Sequence, residues 1–322
     1  MSNECPYCHF NRIIKYCKRG DKQRYQCTSC KRTWTEKSPS QNKAKQVMND
    51  SIILDYINGT VVMDLVERYG KSERTIRRLL EDLPDVKVKI LGNSDVIGMD
   101  VTYFGKSWGI LLVMDLIRKI PVYCTDIIGS ESVEDYEEAI RALAHAGPLP
   151  KACVVDGRSG VAEMLERYHI AVQMCQFHQV SIVKRYLASD PKLEPNRQLK
   201  ELMIDLKYLN EEQFLRRFFL WRSEWLTWVN ESYTNESGKK ELVHQKTHSA
   251  MNSILRHYDH LFTFEHYPEL EIPRTNNILE GNFSILKSKL LQHKGCNKTT
   301  KIKIINLLLS IKQGELPTGF GK

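Results

Sequence analysis

At 322 residues, 42% of them hydrophobic, the chain carries enough apolar side chains for two or three cored domains, which excludes wholesale disorder. Its 47 Lys and Arg against 39 Asp and Glu leave a net charge of +8. No apolar run approaches the ~18–20 residues that a membrane-spanning helix needs, which argues against an integral membrane protein.

The charge is clustered rather than uniform. Residues 1–49 hold eleven Lys/Arg against Glu4, Asp21 and Glu36, and residues 284–322 hold eight Lys against Glu315. Two basic ends around a nearly neutral middle suit contact with a polyanion. Met1 leads almost directly into Cys5 without the apolar core of a signal peptide, and nine cysteines make an odd total. Both features point to a reducing cytoplasm and away from a disulfide framework.

Cys5-Pro6-Tyr7-Cys8 and Cys27-Thr28-Ser29-Cys30 are two CxxC knuckles separated by eighteen residues. Two knuckles at this spacing complete a tetrahedral four-sulfur site, so residues 1–37 are expected to form a zinc ribbon, with Arg12–Tyr16 and Gln23–Tyr25 as short strands. The set is closed, which makes the zinc structural. A duplicated redox pair is the weaker alternative, and His9 and Cys17 are spare candidates. Lys37-Ser38-Pro39-Ser40 reads as a linker.

Residues 41–88 read as helices interrupted at Asn58-Gly59 and at Gly70, the pattern of a helix-turn-helix DNA-binding domain. Val62, Leu65 and Val66 share one face of the helix before Gly70. In the helix after it, Ile76, Leu79 and Leu80 turn inward, leaving Arg74, Arg77 and Arg78 outward to meet a DNA groove. A merely solvated charged face is the alternative. Asp82–Lys89, with Pro84, reads as a second linker.

From about residue 94 the pattern becomes strand-rich. Strands are expected over Asp95–Phe104, Trp108–Ile117 and Ile120–Ile127, a helix over Ser132–Ala146, a strand over Ala152–Val155, a helix over Gly160–Tyr168 and a strand over Ile170–Met174. Three meandering strands followed by helix, strand, helix and strand is the order of a ribonuclease-H-like α/β domain. Asp100 lies within the first strand and Asp156 just past the fourth, so parallel neighbouring strands would bring their carboxylates together. Asp115 and Asp126 are equally strand-associated, and the pattern by itself does not choose among them.

Four segments carry a resemblance. They are Gly98-Met99-Asp100, Val154-Val155-Asp156-Gly157, Cys175-Gln176-Phe177-His178-Gln179, and Arg274-Thr275-Asn276-Asn277-Ile278-Leu279-Glu280-Gly281-Asn282. Taken in this order, they resemble the Mutator-type bacterial insertion-sequence transposases of the DDE superfamily, over about residues 94–310. The zinc ribbon departs from most of that family and matches a branch that carries one. The resemblance implies a catalytic domain over 94–322 with a helical insertion at about 190–270. It places the catalytic carboxylates at Asp100, Asp156 and Glu280, which would hold two Mg²⁺ (or Mn²⁺) ions for phosphodiester cleavage and strand transfer. It further implies double-stranded DNA partners, namely transposon inverted repeats and target DNA, and a homo-oligomer, at least a dimer, during synapsis.

Cys175 and His178 are expected to support that site, either as ligands or as braces at a strand-to-helix junction. Thr275 or Asn276 would cap the helix bearing Glu280. Lys287 and Lys289, followed by Lys294, Lys298, Lys301 and Lys303, would hold phosphates or form a solvated basic face. Pro195–Ser232 and Lys239–Phe264 read as mainly helical, with Trp221, Trp225 and Trp228 as core or, alternatively, as a platform for unpaired bases. A zinc-ribbon/helix-turn-helix transcription regulator would explain residues 1–85 alone, and a catalytically inactive domesticated transposase would keep only DNA binding.

Overall fold

The computed structural model describes residues 4–20, 22–35, 39–293 and 295–314; side chains are described for these except 22 and 39–43. Lys37 and Ser38 of the expected linker, and Lys294 of the basic strip, lie outside the described residues. The chain divides into two compact units, one within Met1–Asp82 and one over Leu83–Pro317.

The first unit begins with a three-stranded antiparallel sheet, β1 (Ile13–Arg19), β2 (Lys22–Cys27) and β3 (Thr33–Thr35). The third strand was not legible in the sequence: at three residues it is too short to show alternation, and it exists by pairing Trp34 with Tyr25. Three helices follow, α1 (Pro39–Ile57), α2 (Val62–Tyr69) and α3 (Glu73–Glu81). Gly70 ends α2 in the left-handed region at φ 60°, where a side chain would be strained. Ser72 starts α3 by accepting a hydrogen bond from the Thr75 backbone N–H. Leu65, Ile76 and Leu80 are buried together with Ile52, Ile53 and Ile57 of α1.

The second unit is mixed α/β, built on a five-stranded mixed sheet. Its strands are β4 (Val96–Tyr103), β5 (Trp108–Asp115), β6 (Ile120–Ile128), β7 (Ala152–Val155) and β8 (Ala171–Met174), in the spatial order β6-β5-β4-β7-β8. β4, β5 and β6 pair antiparallel, whereas β7 runs parallel to β4 and β8 parallel to β7. The parallel strands are joined by the helices α4 (Val133–Ala146) and α5 (Val161–Arg167). Ser132 and Asp135 close a reciprocal capping box at the start of α4.

Side-chain alternation on β4 positions the site. Ile97 and Met99 point into a core shared with Tyr136, Ile140 and Leu143 of α4 and Met164 and Leu165 of α5. Gly98 and Asp100 therefore face the opposite side of the sheet. Coverage of both faces is why β4 reads as a nearly continuous apolar run.

Beyond β8 come α6 (Gln176–Tyr186), α7 (Glu194–Asp205), α8 (Glu211–Val229), a hairpin of β9 (Ser232–Thr234) and β10 (Lys240–Leu242), then α9 (Gln245–His257) and the short α10 (Thr263–His266). They enclose a second core that includes Leu199, Leu202, Phe214, Phe218, Trp221 and Ile254. Of the three tryptophans, Trp221 is buried and donates to the Pro195 carbonyl. Trp225 donates to Gln198, and Trp228 stacks on His244 with centroids 3.4 Å apart. The β9–β10 hairpin corrects the helical expectation for Ser232 and for Lys240–Leu242. Strand residues this few take their conformation from pairing across the turn, and pairing has no local signature.

The chain closes with α11 (Asn277–Leu291) and α12 (Lys298–Lys312). The segment after Asp82 lies along α12: Lys303 donates to the Leu83 carbonyl, and Gln313 both donates to and accepts from the Lys89 backbone.

Candidate functional site

Three side chains from three elements meet on one side of the central sheet. Asp100 comes from β4, His178 from the first turn of α6 and Glu280 from the first turn of α11. A ligand atom of each lies within 4.8 Å of those of the other two. His178 Nε2 is 3.2 Å from Glu280 Oε1, while His178 Nδ1 is buried without a partner. Asp100 is only 8% exposed, and its Oδ1 accepts from the Val101 N–H at 2.7 Å.

Asp156 sits one residue beyond β7. The β4–β7 register pairs Gly98 with Val154, so Asp156 lies level with Asp100 on the adjacent parallel strand. Its Oδ1 accepts from the Arg158 N–H at 3.1 Å. It falls outside the compact group of three, yet its charge reaches Asp100. Burial chiefly, then the charge of Asp156, and more weakly those of Glu280 and Glu131, push the Asp100 carboxyl up to about 8 against the pull of the Val101 N–H. Carboxylates gathered in this way bind cations because a cation removes the repulsion that otherwise holds a proton on one of them. Two carboxylate oxygen donors and one imidazole nitrogen could hold a metal ion.

The other strand aspartates are otherwise engaged. Asp115, 3% exposed, accepts from the Ile117 and Arg118 backbone N–H groups and from Arg118 Nε at 2.7 Å, which makes it the cap of the β5–β6 turn. Asp126 on β6 has its carboxyl raised by burial, with Lys298 and Lys87 pulling it back down.

The start of α11 is not closed by a side-chain cap. Asn276 occupies the cap position, but its side chain makes no capping bond, contrary to the sequence expectation. Its Nδ2 reaches across to the Met99 carbonyl on β4, and its N–H points at Cys175 Sγ at 3.3 Å. The Arg274 carbonyl accepts from the Gln176 N–H. Cys175 is thus a buried brace between β8, α6 and α11, whereas His178, one turn along, joins the acids. The Cys-x-x-His spacing hinted at both roles. Only the packing separates them.

Behind Asp156, His257 of α9 is buried, with Nδ1 2.7 Å from Gln179 Oε1 on α6. Gln179 Nε2 in turn donates to Ser253. Burial is the main cause that brings the His257 imidazole down to about 4, against a hydrogen bond with the Gly157 backbone and the charge of Asp156. His257 carried no motif or spacing that would single it out before folding.

In the first unit, Cys5, Cys8, Cys27 and Cys30 also form one group within 4.8 Å, with Cys5–Cys30 and Cys8–Cys27 sulfurs 3.6 Å apart. Four thiolates on a tetrahedral ion at ~2.3 Å sit about 3.8 Å from one another, so this cluster fits zinc. Arg74, Arg77 and Arg78 are all exposed on α3, and Arg77 pairs with Glu73 at 2.7 Å.

Lys287 is exposed, but Lys289 is partly buried, with its ammonium pKa lowered by burial. Lys298 lies over the Trp108 ring, and Lys303 is bound to Leu83. The expected basic strip is therefore in part structural, because an α-helix turns its residues through every face and some of these lysines land against protein.

No protein-family model matches the chain, and a search of curated proteins returns no significant match. Among the described residues, no helix is long and apolar enough to cross a membrane.

Proposed function

We propose that the chain is a metal-dependent DNA transposase of the DDE type, similar to the Mutator-type insertion-sequence enzymes, with a ribonuclease-H-like catalytic domain. The observation that carries this reading is the meeting of Asp100, His178 and Glu280, which are far apart in sequence, at the end of a parallel strand pair that also presents Asp156. Carboxylates on adjacent strands, in a site open enough to leave Glu280 44% exposed, suit an extended polymer better than a small enclosed substrate.

In this reading Asp100, His178 and Glu280 hold one divalent cation, and Asp156 beside them contributes to holding a second. Bound there, the metal would lower the barrier to phosphodiester attack by stabilising charge on the attacking and leaving oxygens. The protein's part is to fix the acids. β4 and β7 hold Asp100 and Asp156 level, α11 delivers Glu280 beside His178, and burial makes Asp100 a poor carboxylate until a cation arrives. No covalent protein–DNA intermediate is required, since water and then a 3′-hydroxyl serve as nucleophiles.

The four-cysteine ribbon holds structural zinc, and α2–α3 form a helix-turn-helix whose Arg74, Arg77 and Arg78 contact the transposon ends. The deciding experiment incubates the full chain with DNA carrying the ends of its own element, with Mg²⁺, Mn²⁺ or EDTA. Metal-dependent nicking at the ends supports the reading. Binding without cutting in every metal, by correctly folded protein, overturns it in favour of a regulator.

A further inference from the structure

Beside the carboxylate site, a cavity of about 310 Å³ opens between α6, the end of α7 and the loop entering α11. That is the small end of the range for ligand pockets, ~300–1,000 Å³. Its apolar part comes from Val180, Met203 and Leu206. Phe177, 51% exposed, is also part of its wall, and its ring meets that of His178 edge-on with centroids 5.8 Å apart. Three cations, Lys184, Lys207 and Arg274, line the cavity, and among the described residues no acidic side chain does. Gln176, 3% exposed, donates through Nε2 to the Leu261 carbonyl and leaves its buried Oε1 unpaired.

We propose that this cavity receives one unpaired nucleotide of a DNA strand running through the carboxylate site. The proposal rests on the nuclease reading above and adds a binding subsite to it. A base has two flat apolar faces and a polar edge. Its faces match Phe177 and the aliphatic wall. The phosphates on either side match Lys184 and Lys207, which a neutral or cationic ligand would not use. Continuity places it: Phe177 precedes His178 and Thr275 precedes Asn276, so a strand seated here lies within a few residues of Glu280. A paired base cannot enter a cavity this small without leaving its partner. The site therefore selects frayed or single-stranded DNA, with stacking on one aromatic ring as its main attraction.

The test uses full-length protein and a single-stranded oligodeoxynucleotide of about 12 nucleotides with one central 2-aminopurine, compared with its duplex, by anisotropy and by 2-aminopurine emission. Wild-type protein is expected to change the emission of the single strand on binding. Phe177→Ala should weaken that binding about tenfold and remove the emission change. Ser181→Trp, which fills the cavity from α6, should do the same, and Lys184→Gln should lower affinity with a shallower salt dependence. Unchanged affinity and emission in both Phe177→Ala and Ser181→Trp overturn the proposal. Cutting of duplex ends by wild-type protein is scored separately. A chain that cuts but shows no cavity dependence loses only the cavity, while one that never cuts yet shows it loses only the nuclease reading.

Discussion

A Cβ atom at Gly98 would lie 2.5 Å from Asn276 Oδ1 and 2.7 Å from Leu279 Cδ1, so the first turn of α11 rests directly on the β4 backbone. This contact sets the depth at which Glu280 approaches Asp100, two residues along the same strand. A side chain at position 98 would have to displace the helix that carries the third ligand.

Gly98→Ala is therefore expected to damage the site more than the fold. Overpacking of this kind costs about 1–3 kcal/mol, readable as a lowered midpoint in urea. Mn²⁺ affinity, followed by calorimetry, should fall at least tenfold. Wild-type affinity in a folded Gly98→Ala protein would show that α11 does not depend on this contact.

Asp100→Asn, Asp156→Asn and Glu280→Gln should each abolish metal-dependent cutting while end binding survives, because each removes a charge and preserves shape. Asp115→Asn is the comparison. It weakens a buried turn cap and should cost about 2 kcal/mol of stability, while the soluble fraction still cuts. Loss of cutting in folded Asp115→Asn, with cutting retained in Asp100→Asn, would reverse the assignment of the two strand aspartates.

An imidazole in the ligand set favours transition metals over Mg²⁺. Wild-type protein should therefore bind Mn²⁺ more tightly than Mg²⁺. His178→Ala should weaken Mn²⁺ more than Mg²⁺ and narrow the gap. Equal losses for both ions would place His178 in support of Glu280 and outside the ligand set.

His257 has a folded pKa of about 4, below the ordinary histidine value of 6.5. The unfolded chain thus binds a proton that the native protein resists, and stability rises with pH wherever that difference exists. Its contribution is complete above about pH 6.5 and is lost as pH falls toward 4. His257→Gln should flatten the chemical-denaturation stability profile across that window. A profile as steep as wild type would assign the acid sensitivity to other groups.

Full-length protein should carry one structural zinc, readable by elemental analysis, and Cys27→Ser with Cys30→Ser should lose it. Arg74→Ala and Arg78→Ala should each weaken binding to element-end duplex by ~1–3 kcal/mol if they touch base edges. Undiminished binding by both would move recognition away from α3.

Features that depend only on near neighbours in the chain can be read before folding. Ser72 and Ser132 announce their helices because a hydroxyl three residues before a free N–H caps it, and Gly70 stops α2 because only glycine takes that conformation without strain. The strands of the central sheet were legible to within a residue or two from apolar runs and turn residues, and the cysteine pairs from their spacing. The choice of Asp100 over Asp115 was not legible from pattern, since both lie in apolar strands and what faces them is set by packing: α11 for one, Arg118 for the other. Nor were His178 joining the acids, Cys175 bracing Asn276, or His257 lying behind Asp156. Each of these joins residues far apart in the chain. Such contacts follow from how helices pack on the sheet, a sum over many weak interactions that local sequence pattern does not specify.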